Sequence, residues 1–165
     1  LTSTNLDKLA TREYQISPPA PQAVFDVLNS ENIKFDNKNV LLVGTGDLVG
    51  KPLLSMLKNK PIKLTSVNKE TGNFKKACLQ SDIVISGVGK PNLITEDMVS
   101  SDSFLIDVGT SVEHGKTNGD ISEEANKKAA IYTPTPGGIG PITVSNLILN
   151  TTKCAQNKLL INDPK

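Results

Sequence analysis

The sequence predicts an α/β fold in which a doubly wound parallel sheet is covered by helices on both faces. Short apolar runs with few polar interruptions recur at residues 40–43, 62–67, 82–86 and 104–108. Stretches with helical apolar spacing separate them, and each run ends in glycine or small polar residues. Strands that are apolar on both sides belong in a parallel sheet buried on both faces, and right-handed crossovers then wind it in two directions.

A chain of 165 residues can bury one sizeable core. Its 37% hydrophobic and 21% charged residues, with net charge +1, are those of a globular protein. Lysines and arginines are scattered among acids and aromatics make up only 4%, which argues against a nucleic-acid surface. No apolar stretch approaches the roughly 18 residues that span a bilayer. Cys78 and Cys154 are far apart with no C-x-x-C, as expected of a reducing compartment without structural zinc, and no metal site is expected. The only histidine, His114, sits in a polar turn and reads as a surface residue. The chain opens on Leu1 without a signal-like segment, which points to a trimmed or upstream-extended reading frame.

Residues 1–17 are polar and show no sustained period. Ser17-Pro18-Pro19-Ala20-Pro21 then stiffens the chain and leads into a helix over residues 22–29, with Val24, Phe25, Val27 and Leu28 on its apolar face. Prolines at a helix entrance cost little, because the first amides have no intrahelical partner. The strand at 40–43 runs into the turn Gly44-Thr45-Gly46 and a helix over 52–57 that Lys60-Pro61 ends. The second strand, 62–67, closes in the polar run 68–73, and a short helix at 74–79 precedes the third strand, 82–86. After Gly87-Val88-Gly89-Lys90-Pro91, residues 95–99 form a capped turn or two of helix. The fourth strand, 104–108, stops at Gly109 and gives way to a loop reaching Asp120, a charged helix from 122 to about 129, and a short strand at Ala130-Ile131-Tyr132. The Pro- and Gly-rich segment 134–141 opens a last helix that reaches about Cys154. Pro141 suits its first turn, where Thr143 could satisfy free amides.

Residues 40–52 carry the chemistry. A strand, a G-x-G-x-x-x-G turn (Gly44, Gly46, Gly50) and a helix are a variant of the dinucleotide fingerprint. Glycines let the backbone approach a pyrophosphate, and the helix start favours negative charge. The same glycines would also serve a tight strand-to-helix turn with no ligand. In a doubly wound sheet, however, the carboxyl ends of the strands share one edge. The turns at 44–46, 68–69, 87–89 and 109–110 should converge there and leave a crevice. Segment 134–141 can likewise be a rigid connection into the last helix.

In the order and spacing of several segments, the chain resembles the nucleotide-binding half of the methylenetetrahydrofolate dehydrogenase/cyclohydrolase family. The segments are Val43-Gly44-Thr45-Gly46-Asp47-Leu48-Val49-Gly50-Lys51-Pro52, Ser81-Asp82-Ile83-Val84-Ile85 with Gly89-Lys90-Pro91, Ile106-Asp107-Val108-Gly109, Gly119-Asp120, Thr133-Pro134-Thr135-Pro136-Gly137-Gly138-Ile139-Gly140-Pro141-Ile142-Thr143, and Asn150-Thr151. They cover about residues 16–152, and the Pro-Gly-Gly-x-Gly-Pro stretch is the most specific. The resemblance implies a Rossmann-like NAD(P)-binding domain. It implies cofactor contacts from Gly44, Thr45, Gly46, Val49, Gly50, Asn68, Lys69, Glu70, Thr71, Val88, Gly89, Lys90, Gly109, Thr110 and Thr135. A loop flanking nicotinamide and folate would comprise Pro136, Gly137, Gly138, Ile139, Gly140 and Pro141, with Thr143. The implied activities are hydride transfer from methylenetetrahydrofolate to the nicotinamide and hydrolysis of the methenyl product to 10-formyltetrahydrofolate, in one-carbon metabolism and purine biosynthesis.

Several departures qualify that expectation. The family's catalytic lysine with a tyrosine four residues before it, and its Asp-x-Asp-Gly, are absent from this sequence. The chain therefore reads as a truncated, inactive form: residues 1–30 as the remnant of an N-terminal catalytic domain and linking helix, 31–150 as the NAD(P)-binding domain, and 151–165 as a helix end and tail. Pro18-Pro19-Ala20-Pro21 stands where the family has Pro-Cys-Thr-Pro, and the glycine turn lacks the arginine that meets a 2′-phosphate. Lys69 favours NADP and Glu70 favours NAD, with NADP preferred. A cytoplasmic homodimer that takes folate in its full-length form is expected, a mitochondrial location being the alternative. The rival readings are a non-catalytic nucleotide-binding or assembly module, and another two-domain dehydrogenase such as a shikimate or amino-acid enzyme, against which the Pro-Gly-Gly-Ile-Gly-Pro loop speaks.

Overall fold

The computed structural model describes residues 8, 9, 11, 14, 16–68 and 72–161. Five parallel strands form one sheet: β1 (Asn39–Val43), β2 (Lys63–Val67), β3 (Ile83–Ser86), β4 (Phe104–Asp107) and a short edge strand, β7 (Ile131–Tyr132). Their spatial order is β2-β1-β3-β4-β7. The chain leaves β1 toward one edge and returns to build the other, so the order reverses between β1 and β3, and the carboxyl ends on either side of that point open a crevice. The register places Val43 beside Val67 and Ser86, and Ser86 beside Asp107.

The pleat explains why the central strands β1, β3 and β4 are largely apolar on both faces. Val40 and Leu42 face a core shared with Val24, Leu28, Leu53, Leu57 and Ile106, whereas Leu41 and Val43 face a second core with Cys78, Ile94, Leu105 and Ala125. The first core is roofed by α1 (Pro19–Ser30), α2 (Gly50–Leu57) and the start of α5 (Ile139–Ile161). The second lies under α3 (Phe74–Leu79), a 3-10 turn at Glu96–Met98 and α4 (Glu123–Lys128). Edge strand β2 keeps Lys63, Thr65 and Ser66 exposed.

Pro18 caps α1 and Pro19 and Pro21 occupy its first turn, as expected of a proline-led entrance. Along α5, Asn146 Nδ2 donates to Asp26 Oδ2 (2.7 Å) and Asn150 Nδ2 to Ser17 O (2.7 Å), joining the last helix to the first. No helix among the described residues is long and apolar enough to cross a membrane.

Three expectations need correction. The segment expected to loop to Asp120 contains an antiparallel hairpin, β5 (Ser111–Glu113) and β6 (Lys116–Asn118). His114 (φ 50°) and Gly115 (φ 75°) make its turn, and three-residue polar strands carry too little periodicity to be read from sequence. Helix α5 continues past Cys154 to Ile161, because nothing between them breaks a helix. Thr143 does not serve the free amides of that helix: its Oγ1 donates to Ile139 O (2.9 Å), a turn back inside it.

Candidate cofactor-binding cleft

The β1 turn is shaped by two glycines and left open at the third. Gly44 (φ +93°) donates its amide to Val67 O (2.9 Å), and a Cβ on it would lie 3.0 Å from Gly87 O. A Cβ on Gly50 would fall 2.3 Å from Gly44 O, so the start of α2 can pack against the turn only as glycine. At Gly46 a Cβ would meet nothing within 4 Å. The fold itself does not demand glycine there, which is what a surface kept clear for a ligand requires. Val49, at the N-cap of α2, makes no side-chain cap, so no side chain neutralises the positive end of the helix, whose Lys51 amide donates to Gly46 O (3.0 Å). Asp47, the acid nearest the turn, is paired with Lys51. Thr45 Oγ1 donates to Asn68 Oδ1 (3.0 Å), tying the turn to the end of β2. Lys69, Glu70 and Thr71 lie outside the described residues.

The walls of the cleft come from the start of α2, the end of β4 and the proline–glycine loop, whereas Val88, Gly89 and Lys90 at the end of β3 do not line it. Val49, Val108, Thr110, Thr135, Pro136, Gly137, Gly138, Ile139, Gly140, Pro141 and Thr143 line one cleft of ≈ 430 Å³, joined by Ala20, Asp107 and Thr117. The loop is rigid for identifiable reasons. Gly138 donates to Pro134 O (2.8 Å), a Cβ on it would fall 2.5 Å from that same oxygen, and Gly137 holds φ +107°. A larger cleft of ≈ 890 Å³ shares Pro134 and Thr135 and is otherwise more acidic, lined by Glu96, Asp97, Glu123 and Glu124 with Lys127, which pairs with Glu123.

Two buried carboxylates with no role assigned from sequence lie beneath these walls. Asp120, fully buried, accepts from Ser86 Oγ (2.7 Å), Val88 N (2.7 Å) and Lys90 N (2.8 Å). Asp107, 2% exposed, accepts from Gly109 N (3.1 Å), Asp120 N (3.1 Å) and Ile121 N (3.0 Å). Its own amide donates to Thr133 Oγ1 (2.8 Å). Burial pushes the Asp107 carboxyl up to about 6, with the neighbouring Asp120 charge adding to the rise against the lowering effect of the amides. The available signal was an acid closing an otherwise apolar strand, Phe-Leu-Ile-Asp. Cys78, by contrast, is a core residue whose thiol burial pushes up to about 11, which makes it inert. Among the described residues, no cluster of histidine, cysteine or acidic side chains could hold a metal.

A doubly wound sheet with a glycine-rich β1 turn, an open helix start and a cleft at the reversal point defines the chain as a dinucleotide-binding Rossmann domain. The model of the tetrahydrofolate dehydrogenase/cyclohydrolase NAD(P)-binding domain matches residues 18–159, and the chain belongs to that family. It is 38% identical over 151 residues to the bifunctional protein FolD of Clostridium acetobutylicum, covering 91% of this chain and 54% of the relative. It is 42% identical over 159 residues to that of a Sulfurihydrogenibium species, covering 94% of this chain and 56% of the relative. Among solved structures, the bifunctional FolD enzyme of Campylobacter jejuni superposes with a TM-score of 0.88 at 32% identity, over 94% of this chain and 56% of that one. The Trypanosoma brucei enzyme, solved with NADP and an inhibitor, gives a TM-score of 0.87 at 31% identity, over 96% of this chain and 57% of that one. The chain thus spans about half the length of the relatives it matches. Shikimate dehydrogenase from Aquifex aeolicus, with a TM-score of 0.54 at 13% identity, shares the fold alone.

Proposed function

We propose that this chain is the dinucleotide half of a bifunctional 5,10-methylenetetrahydrofolate dehydrogenase and 5,10-methenyltetrahydrofolate cyclohydrolase, taking NADP in preference to NAD. The observation that carries the reading is the pairing of a clear surface over Gly46 with a stiff-walled cleft at 134–141 on the same sheet edge. When bound, the nicotinamide supplies the acceptor for a hydride from the folate methylene bridge. The turn between Thr45 and Gly50 receives the pyrophosphate, the Gly44 amide being held by Val67 O, with Thr45, Val49 and Asn68 beside it. Val88, Gly89, Lys90, Gly109, Thr110 and Thr135 shape the nicotinamide side, and Pro136 to Pro141 with Thr143 form the wall that folate meets. Holding two flat rings in a fixed relation is what such a wall contributes to hydride transfer.

The second step needs proton transfer to and from water. The sequence has tyrosines only at 14 and 132 and neither is followed four residues later by lysine, so the 165-residue chain alone should bind cofactor without turnover. Lys69 near the end of β2 supports NADP. Ala20 in the cleft, part of the Pro19-Ala20 pair that stands where the resemblance implies Cys-Thr, supports the second reading, a non-catalytic nucleotide-binding module. Calorimetric titration of NADP and NAD, run alongside assays of both activities, separates these outcomes. Turnover by the chain would overturn the inactivity proposal, and no binding of either nucleotide would sink the cofactor reading. Lys69→Ala should weaken NADP about ten-fold and leave NAD unchanged. The homodimer, folate as partner and a cytoplasmic location remain parts of this proposal, and sedimentation analysis tests the first.

A further inference from the structure

Two adjacent carboxylates buried in an apolar setting are costly unless every acceptor is engaged. Among the described residues, neither Asp107 nor Asp120 has a lysine or arginine ion pair. Their six hydrogen bonds come instead from five backbone amides and one hydroxyl, on segment 86–90 after β3, at Gly109 beside the cleft residues Val108 and Thr110, and at 120–121. Asp120 gathers the β3 end, Ser86 to Lys90. Asp107 ties together both ends of the excursion that carries the β5–β6 hairpin.

We propose that Asp107 and Asp120 act as a positioning pair that presets the 88–90 and 109–110 segments for the dinucleotide, so that cofactor affinity depends on both carboxylates keeping their amides. The proposal rests on the reading of the cleft as a nicotinamide-cofactor site. The Asp120 carboxylate, on the segment after the hairpin, is the charged neighbour that raises Asp107. Thr133, from the end of β7, contributes an uncharged hydroxyl. A proton on Asp107, which it takes near 6, removes acceptor capacity from the pair.

The test titrates NAD against the full chain between about pH 5 and 8, since NAD lacks the 2′-phosphate that itself titrates near 6. A His114→Gln background removes the chain's one imidazole, which lies at the exposed hairpin tip. NAD binding should weaken as pH falls through 6. Asp107→Asn should bind weakly and lose that pH dependence, and Asp120→Asn should bind about ten-fold more weakly at neutral pH with its circular dichroism intact. If Asp120→Asn fails to fold, Ser86→Ala removes a single donor to the same carboxylate and should weaken NAD two- to five-fold, on the order of one neutral hydrogen bond. Folded variants that bind NAD like the parent, or a flat pH profile in the parent, would overturn the proposal. A parent chain that binds neither NAD nor NADP would instead overturn the cofactor reading beneath it.

Discussion

At the scale of single residues, the β1 turn separates glycines the fold needs from one it does not. Gly50→Ala would drive a methyl into Gly44 O, and should cost about 1–3 kcal/mol in urea unfolding. Gly46→Ala should leave that midpoint nearly unchanged and weaken dinucleotide binding about ten-fold, because only the ligand would meet the methyl. Asp107 supplies a second residue-scale prediction. A carboxyl at about 6 in the folded chain and near 3.8 unfolded holds its proton more tightly when native. Acid therefore favours folding through this group. Stability should rise as pH falls from about 7 through 6 and level off below the unfolded value, a gain on the order of 3 kcal/mol. The lowered carboxyls of Asp82, Asp97 and Glu123 act in the opposite sense, chiefly below about pH 5. Urea midpoints at about pH 7.5 and about pH 5 should therefore differ by about 1.4 kcal/mol, the part of the gain reached by about pH 5, and Asp107→Asn should abolish it.

Among the elements, those that bury apolar runs were legible and those built from polar residues were not. Val40 to Val43 and Ile83 to Ile85 announce central strands because both of their faces are covered. The hairpin was hidden because Ser111–Glu113 and Lys116–Asn118 pack on no core, and its only signal was a His-Gly pair suited to two positive φ angles. The glycine turn and the proline–glycine loop could be read as site elements because their residue types restrict the backbone. The Asp107 and Asp120 network was signalled only by an acid ending an apolar strand, since all but one of its donors, Ser86 Oγ, are main-chain amides that any sequence possesses. The junction of α1 and α5 rests on side chains and can be tested directly. Asn146→Ala removes the donor to Asp26 and should lower stability by about 1 kcal/mol in thermal unfolding, leaving helix content unchanged.

For the molecule as a whole, the doubly wound class followed from alternation of elements, while the strand order and the crevice between β1 and β3 required the paired registers. A ligand seated in that crevice bridges segments from four strands, so it should stabilise the chain globally. NADP at about a hundred times its dissociation constant should add about 2.7 kcal/mol and raise the melting temperature accordingly; no shift at saturation would contradict cofactor binding. The crossed arrangement beneath the crevice has a consequence for how the sequence can vary. A Cβ on Gly109 would lie 2.1 Å from the Asp120 carboxyl, and one on Gly119 would lie 2.0 Å from Asp107 Oδ2. Each acid excludes a side chain at one glycine, so neither glycine is free to change while its facing acid remains. Gly109→Ala should be severely disruptive alone, and Asp120→Gly should relieve its clash while leaving the Ser86, Val88 and Lys90 donors without their acceptor, so a double-mutant cycle should read strong non-additivity without recovery of the crevice. Drift at the two glycines then waits on loss of the facing acid, and a side chain at either one marks a chain whose crevice has already been reshaped.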